Sequence, residues 1–167
     1  IGIVHFVGIP MAMPDVIAIA DKHGLKVIED CALAVGARYD GRHVGLFGEA
    51  GCYSFYPVKH ITSGEGGMFV SQHEDVVKKV ANFRAFSYDR SLSERTIPEI
   101  YDVTNVGMNY RMSELQGALG RSQINKIPEI LSKRSANFTA LEAALSNIDD
   151  LMVLDSTDPK SHNSHYC

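Results

Sequence analysis

The most informative part of the sequence is residues 51–68, which read Gly51-Cys52-Tyr53-Ser54-Phe55-Tyr56-Pro57-Val58-Lys59-His60-Ile61-Thr62-Ser63-Gly64-Glu65-Gly66-Gly67-Met68. The apolar and aromatic run over residues 51–56 predicts a buried strand. A single lysine, Lys59, follows that run, and a glycine-dense turn over residues 64–67 leads into a further predicted strand over residues 66–71. The segment therefore predicts two strands with one lysine in the connection between them.

Upstream of this segment, residues 25–30 form a short apolar run that ends in Asp30 and predicts another buried strand. Residues 1–6 predict a strand, and residues 14–23 predict a helix with Gly24 as its C-terminal cap. Strand, helix and strand within about 30 residues are typical of a βαβ unit, in which the two strands are parallel and buried.

The remaining sequence predicts an α/β protein. Helices are predicted over residues 73–84, from residue 113 to residue 127, and from Pro128 onward. Residues 37–44 alternate around Asp40-Gly41 and predict a hairpin, residues 85–108 predict a long irregular segment, and residues 151–154 predict a strand. We therefore expect three layers, α/β/α, around a mostly parallel sheet.

The composition excludes several classes of protein. The 167 residues correspond to about one domain. The net charge of −4 lacks the basic character of a nucleic-acid-binding protein, and no apolar run approaches the roughly 18 residues of a membrane span. The three cysteines are odd in number and lack metal-ligand spacing, which favours a reduced, cytoplasmic setting.

The two ends of the sequence predict a partial chain. The sequence starts without Met inside an apolar alternating run, and it ends in a polar stretch with no helix or cap to close it. Natural domains usually begin and end in exposed linkers. We therefore expect a domain that is truncated at both ends.

Asp30 and Lys59 together are the pair of groups that pyridoxal phosphate (PLP) chemistry needs. A lysine amine forms a Schiff base with the cofactor aldehyde, and a carboxylate keeps the pyridine nitrogen protonated so that the ring acts as an electron sink. Asp30 ends a predicted parallel strand, where ligands of open α/β sheets bind. A turn-forming aspartate and a solvated loop lysine are the alternatives when either residue is taken singly.

Three further features could hold a phosphate. Ser54 ends the strand that precedes Lys59, so its hydroxyl could donate to a phosphate, or it could simply bond a backbone carbonyl. The glycines of residues 64–67 by themselves indicate only a tight turn. Residues 107–113 place Asn109, Tyr110 and Arg111 just before a predicted helix, which favours an anion site or plain capping by Ser113.

The histidines and cysteines do not predict a metal site. The seven histidines are scattered, and none forms a pair at i, i+4. Cys31 and Cys52 are interpreted as buried small apolar residues and not as nucleophiles. We therefore expect no bound metal.

Four motifs, in order, resemble the DegT/DnrJ/EryC1/StrS family of PLP-dependent sugar aminotransferases. The motifs are Val27-Ile28-Glu29-Asp30-Cys31-Ala32, then Gly36-Ala37 with Gly41, then residues 54–68, then Gly107-Met108-Asn109-Tyr110-Arg111-Met112. The resemblance runs from about residue 3 to about residue 150. It implies the large domain of an aspartate aminotransferase-like, fold type I transferase over residues 1–150, and the incomplete start of a C-terminal small domain over residues 151–167.

The resemblance implies a role for each site residue. Lys59 would form the Schiff base and shuttle the proton, Asp30 would pair with the pyridinium nitrogen, and Ser54 would bind the phosphate. Asn109 would reach the phosphate of the neighbouring subunit, which implies a homodimer with a shared active site. The implied reaction is amino transfer, commonly from glutamate, to a keto sugar that is usually nucleotide-linked, as in polysaccharide biosynthesis.

Two positions bear on alternatives within this resemblance. The family often carries Gln or His three residues after the aspartate, where this sequence has Leu33, and an apolar residue cannot make the same hydrogen bond. One branch of the family, which dehydrates deoxysugars, has His at the Schiff base position. Lys59 stands there in this sequence, with His60 following, which favours transfer over dehydration. A dehydratase and a catalytically inactive fragment that folds through a partner remain the alternatives.

Overall fold

A computed structural model describes residues 1–88, 92–94, 96–97 and 100–166. The chain divides into two compact units, of which the first is Ile1–Gln72 with Glu114–Cys167 and the second is His73–Ser113. The strands are β1 (Gly2–Val4), β2 (Ile28–Asp30), β3 (Arg38–Tyr39), β4 (Arg42–His43), β5 (Ala50–Ser54), β6 (Gly67–Val70) and β7 (Ser161–His162). The helices are α1 (Met13–Lys22), α2 (Glu74–Phe83), α3 (Glu114–Ile124) and α4 (Ile127–Leu145), with 3-10 turns at Phe6–Gly8 and Leu92–Glu94.

The central sheet of the first unit has the strand order β1-β2-β5-β6. Strands β1, β2 and β5 are parallel, and β6 is antiparallel to β5. The βαβ prediction is therefore confirmed, and the sheet is mixed but mostly parallel. The first strand is shorter than predicted because Val7 and Gly8 adopt φ angles of 48° and 87°, which turn the chain away from the sheet.

Helix α1 covers one face of this sheet. Met13 and Ala20 of the helix form a buried cluster with Val27, and Ile3 and Phe47 pack against it. On the opposite face, Val4 and Ile28 are about half exposed. Among the described residues, no helical layer covers this face. The second helical layer of the expected α/β/α arrangement therefore remains a prediction.

A second sheet has the order β4-β3-β7 and is antiparallel. The predicted hairpin is confirmed, since Asp40 and Gly41 have φ angles of 49° and 76°, as a tight β3–β4 turn of the primed type requires.

The predicted strand over residues 151–154 is wrong, since these residues form no strand and the segment that pairs with β3 is β7. Leu151 and Val153 line an apolar groove beside Phe138 and Leu141 of α4. These residues therefore lie beside a helix and not within a sheet.

The second unit contains α2 and the irregular segment that follows it. Isolated bridges join Ala85 to Asn109 and Tyr88 to Val103. Phe86 and Ser87 have positive φ angles of 68° and 53°, which interrupt any regular strand. Irregular structure was predicted here, and residues 89–91, 95, 98 and 99 of that segment lie outside the described residues.

The predicted helix boundaries agree closely with the structure. Helix α3 begins at Glu114, directly after Ser113, and Pro128 lies in the first turn of α4. No helix in the described part of the chain combines the length and the apolar character that crossing a bilayer requires.

Candidate functional site

The carboxyl ends of β2 and β5 form the candidate site. Asp30 and Cys52 are partners in the parallel register, and Ser54 lies two residues further along β5 on the same face. Asp30, Ala32 and Ser54 line a cleft of about 600 Å³, a volume within the usual range of about 300–1,000 Å³ for small-molecule sites. The strand ends therefore place a carboxylate and a hydroxyl on one concave surface.

Asp30 is held at the end of β2 by its own local bonds. Its backbone carbonyl accepts a hydrogen bond from His5 N–H at 3.1 Å, and its Oδ1 accepts from the N–H of Ala32 at 2.9 Å. The turn-forming role that the sequence left open is therefore present. It is compatible with a ligand role, because the residue is exposed to the cleft.

Ser54 is the last residue of β5, and residues 55–66 connect it to β6. Its Oγ accepts a hydrogen bond from Tyr56 N–H at 3.3 Å, and its strand partner is Gly67. A Cβ on Gly67 would lie 2.5 Å from the carbonyl oxygen of Tyr53, so only glycine lets the two strands approach here. Gly64 has a φ angle of 81°, which confirms the predicted tight turn.

Lys59 lies in the connection between β5 and β6, where its N–H donates to the carbonyl of Tyr56 at 3.0 Å. The residue is half-buried, as its apolar neighbours predict. Its Nζ is 5.4 Å from the ring centroid of Tyr166, within reach of a cation–π interaction. Lys59 is not among the residues that line the cleft of Asp30 and Ser54.

His60, next to this lysine, is buried and electrically neutral at pH 7. Its ring Nε2 lies 3.0 Å from the carbonyl oxygen of Ser164, an acceptor, so Nε2 carries the proton. Burial, with a smaller contribution from the positive charges of Arg134 and Lys59, lowers the pKa of His60 to about 4. The His60 ring therefore adds no positive charge next to Lys59 at neutral pH.

Asn109 belongs to the second unit, where its backbone bridges Ala85. The side chain is exposed, and its Oδ1 accepts a hydrogen bond from Arg111 Nε–H at 3.4 Å. The Arg111 guanidinium lies 5.0 Å from the ring centroid of Phe86. The first unit thus holds Asp30, Ser54 and Lys59, and the second unit holds Asn109.

Sequence reasoning missed a buried cluster behind the site, formed by His5, Glu29 and Cys31. Their potential ligand atoms lie within 4.8 Å of one another. His5 Nδ1 accepts the N–H of Met11 at 3.1 Å, so Nε2 carries the proton and donates to Glu29 Oε2 at 3.0 Å. Both ring nitrogens are therefore already used, and His5 has no lone pair left for a metal ion.

The signal for this cluster was present in the alternation of β2. Val27 and Glu29 are buried, while Ile28 and Asp30 are exposed, so the acidic residue at position 29 occupies an inward position. A carboxylate at an inward strand position predicts a dedicated set of hydrogen-bond donors.

The side chains of the first unit include the three types of group that PLP requires, and two of them, Asp30 and Ser54, share a cleft that Lys59 does not line. Lys59 offers an amine, Asp30 a carboxylate at a strand end, and Ser54 a hydroxyl beside a glycine turn, which are the types of group that the aldehyde, the ring nitrogen and the phosphate require. The cleft of about 600 Å³ is large enough for a cofactor of this size.

Comparison with known proteins identifies the family. The chain matches the DegT/DnrJ/EryC1/StrS aminotransferase family over residues 1–167. The chain therefore belongs to this family of PLP-dependent sugar aminotransferases, in which some members are dehydratases.

Three similar proteins define the range of chemistry among its relatives. A UDP-N-acetyl-3-dehydro-alpha-D-glucosamine 3-aminotransferase of Acidithiobacillus ferrooxidans is 39% identical, over 72% of this chain and 30% of its own. A dTDP-4-dehydro-2,6-dideoxy-D-glucose 3-dehydratase of Saccharopolyspora spinosa is 34% identical, over 89% of this chain and 36% of its own. The crystal structure of an aminotransferase from Psychrobacter cryohalolentis is 34% identical with a TM-score of 0.90, over 99% of this chain and 45% of its own.

The chain spans only part of the length of these proteins. It covers between 30% and 42% of the curated relatives and 45% of the Psychrobacter chain. The fold of the chain matches that part of the Psychrobacter aminotransferase.

Proposed function

We propose that this chain forms the central part of the PLP-binding large domain of an enzyme that transfers an amino group from glutamate to a nucleotide-linked keto sugar. The observation that carries the proposal is the shared cleft of Asp30 and Ser54 at adjacent strand ends, with Lys59 in the next connection. Residues 1–150 would belong to this domain, and residues 151–167 would begin the C-terminal small domain.

Asp30, Ser54 and Lys59 would each act on a different part of the cofactor. When bound, PLP supplies an aldehyde that carries the amino group and a ring that delocalises negative charge. The Asp30 carboxylate would hold a proton on the ring nitrogen, and the Ser54 hydroxyl would donate to the phosphate. The Lys59 amine would anchor the aldehyde carbon and move a proton between the cofactor and the substrate carbon.

Asn109 would complete the site from a second copy of the chain. The family relationship supports a homodimer in which Asn109 of one subunit reaches the phosphate bound by the other. Its exposed amide is chemically suited to donate to such a phosphate. We place the reaction in cytoplasmic biosynthesis of nucleotide-linked sugars for polysaccharides.

Amino transfer is preferred to dehydration because of the residue at position 59. The relative from Saccharopolyspora is a dehydratase, so both reactions occur among proteins similar to this chain. A lysine amine at this position can both hold the cofactor and return a proton, which amino transfer requires. Product analysis separates the two, since transfer yields an amino sugar with glutamate consumed, whereas dehydration yields a deoxy-keto sugar.

The cofactor assignment is tested by PLP titration of the purified protein, borohydride reduction and peptide mass mapping. We expect one reduced adduct, on the peptide that contains Lys59, and none in Lys59→Ala. Lys133→Ala is the matched control, because Lys133 is an exposed α4 lysine paired with Glu129, and it should retain the adduct. If reduction still labels Lys59→Ala at the wild-type stoichiometry, the assignment of Lys59 as the Schiff base residue is wrong.

A further inference from the structure

Glu29 is a fully buried carboxylate with four N–H donors around it. Its Oε2 accepts from His5 Nε2–H at 3.0 Å and from Gly45 N–H at 2.6 Å. Its Oε1 accepts from the N–H groups of Phe47 and Gly48, both at 2.7 Å. Glu29 and His5 each have 0% of their side-chain surface exposed. The carboxylate therefore ties β2 to the loop of residues 45–48 and to the segment that contains His5.

The donor set keeps Glu29 ionised. Burial by itself raises the pKa of this carboxyl, but the bonds from His5 and from the backbone of Gly48, Gly45 and Phe47 outweigh it, and the net pKa is lowered. All four donors are N–H groups. A protonated carboxyl or a glutamine amide at this position would therefore place its own donor hydrogen opposite at least one of them.

The loop reaches Glu29 because glycines let its backbone lie directly on the strands. A Cβ on Gly48 would be 2.4 Å from the carbonyl oxygen of Val27, and a Cβ on Gly51 would be 2.4 Å from the Cα of Gly45. Such contacts are possible only without side chains at these positions. The nest of N–H groups is thus built into the packing of the loop on β2 and β5.

Glu29 and Asp30 point to opposite faces of a three-residue strand. Glu29 pairs with Ile3 and Gly51 on the buried face, while Asp30 pairs with Val4 and Cys52 on the cleft face. A slip of one residue would exchange the two carboxylates. A three-residue strand has few backbone hydrogen bonds to prevent that slip. The hydrogen bonds of the Glu29 side chain therefore help to set the register.

We propose that Glu29 is a positioning residue that fixes the register of β2, so that Asp30 faces the cleft beside Cys52, on the same face as Ser54. This inference rests on the proposed function, because it assigns Glu29 to the support of the group that protonates the cofactor ring. The Glu29 carboxylate does not reach the cleft, because it is buried on the opposite face of the sheet.

The test is Glu29→Gln, with Glu129→Gln as the matched control on the exposed surface of α4. Each protein is saturated with PLP labelled with ¹⁵N in the ring, and the ¹⁵N chemical shift reports whether the ring nitrogen is protonated. We expect the protonated signal in the wild type and in Glu129→Gln. In Glu29→Gln we expect the unprotonated signal and a PLP dissociation constant at least tenfold higher.

Hydrogen exchange of the cofactor-free protein gives a second readout. The amides of Phe47 and Gly48 should be protected in the wild type and exchange at least tenfold faster in Glu29→Gln. If Glu29→Gln does not fold, His5→Ala is the second variant, because it removes one of the four donors. We then expect smaller changes of the same sign in the ring ¹⁵N signal, the PLP dissociation constant and the amide exchange rates.

The outcomes separate this inference from the proposed function. A folded Glu29→Gln protein that keeps the protonated ring nitrogen and wild-type PLP affinity overturns the positioning role alone, as does an unfolded Glu29→Gln combined with a wild-type-like His5→Ala. A wild-type protein that takes up no PLP at Lys59 overturns both the proposed function and this inference.

Discussion

His60 should make the stability of this protein fall as the pH is lowered from 7.5 to 5.0. The ring is 5% exposed, next to Lys59, and its single hydrogen bond in the described structure is to the carbonyl of Ser164. Protonation would place a charge in this buried position, near the positive charges of Arg134 and Lys59. The folded protein therefore resists protonation of His60, whereas the unfolded chain does not.

The magnitude follows from the two pKa values. The ordinary pKa of histidine is 6.5, and that of His60 in the folded protein is about 4. Because the folded pKa is the lower one, the unfolded state binds more protons between these values, and stability is lost as the pH falls through this window. At pH 5 this linkage amounts to about 2 kcal/mol of unfolding free energy relative to pH 7.5.

Urea unfolding at pH 7.5 and pH 5.0, for the wild type and for His60→Gln, measures this term. The variant keeps an N–H donor for Ser164 but does not titrate, and all carboxylates are common to both proteins. The wild type should lose about 2 kcal/mol more than the variant on acidification. Equal losses in the two proteins, or an NMR titration that places the pKa of His60 near 6.5, would refute the reasoning.

Two further predictions concern the strand β5. Gly51→Ala should destabilise the protein by about 1–3 kcal/mol in urea unfolding, because the new Cβ meets the Cα of Gly45 at 2.4 Å. Gly117→Ala, in α3 with nothing within 4 Å, should instead stabilise it by roughly 0.5–1 kcal/mol, and the same sign for both would contradict the packing argument. Iodoacetamide should label exposed Cys52 well before Cys31, which is fully buried and whose pKa burial raises to about 12, as followed by peptide mass spectrometry. Bound PLP should slow the labelling of Cys52, which lines the cleft, and equal labelling with and without PLP would argue against that site.

Local sequence periodicity was enough to predict the elements that carry the site. The apolar runs before Asp30 and Lys59 predicted β2 and β5, and the glycines after Lys59 predicted the turn to β6. These features depend on neighbours within a few residues. The direction of the Lys59 side chain could not be predicted, because Tyr166, over which it lies, is more than 100 residues away in the sequence.

The identity of the donors to Glu29 and the position of β7 were not predictable for a related reason. The donors to Glu29 come from a loop that the sequence marks only as turn-forming, and their convergence depends on how that loop packs. Strand β7 is two residues long and polar, so nothing in its own composition indicates a strand. It forms because β3 presents a free edge, and that edge is visible only once the fold is known.

The pairing of β3 with β7 also sets an order in which the protein can fold during its synthesis. The Tyr39 hydroxyl donates to Asp158 at 2.6 Å, a contact between residues 119 positions apart. At roughly 5–20 residues per second on the ribosome, the edge of β3 waits on the order of ten seconds for its partner. The pairing of β3 with β7 can thus form only after the later segment has emerged, and the open edge until then is a point where nascent chains can associate.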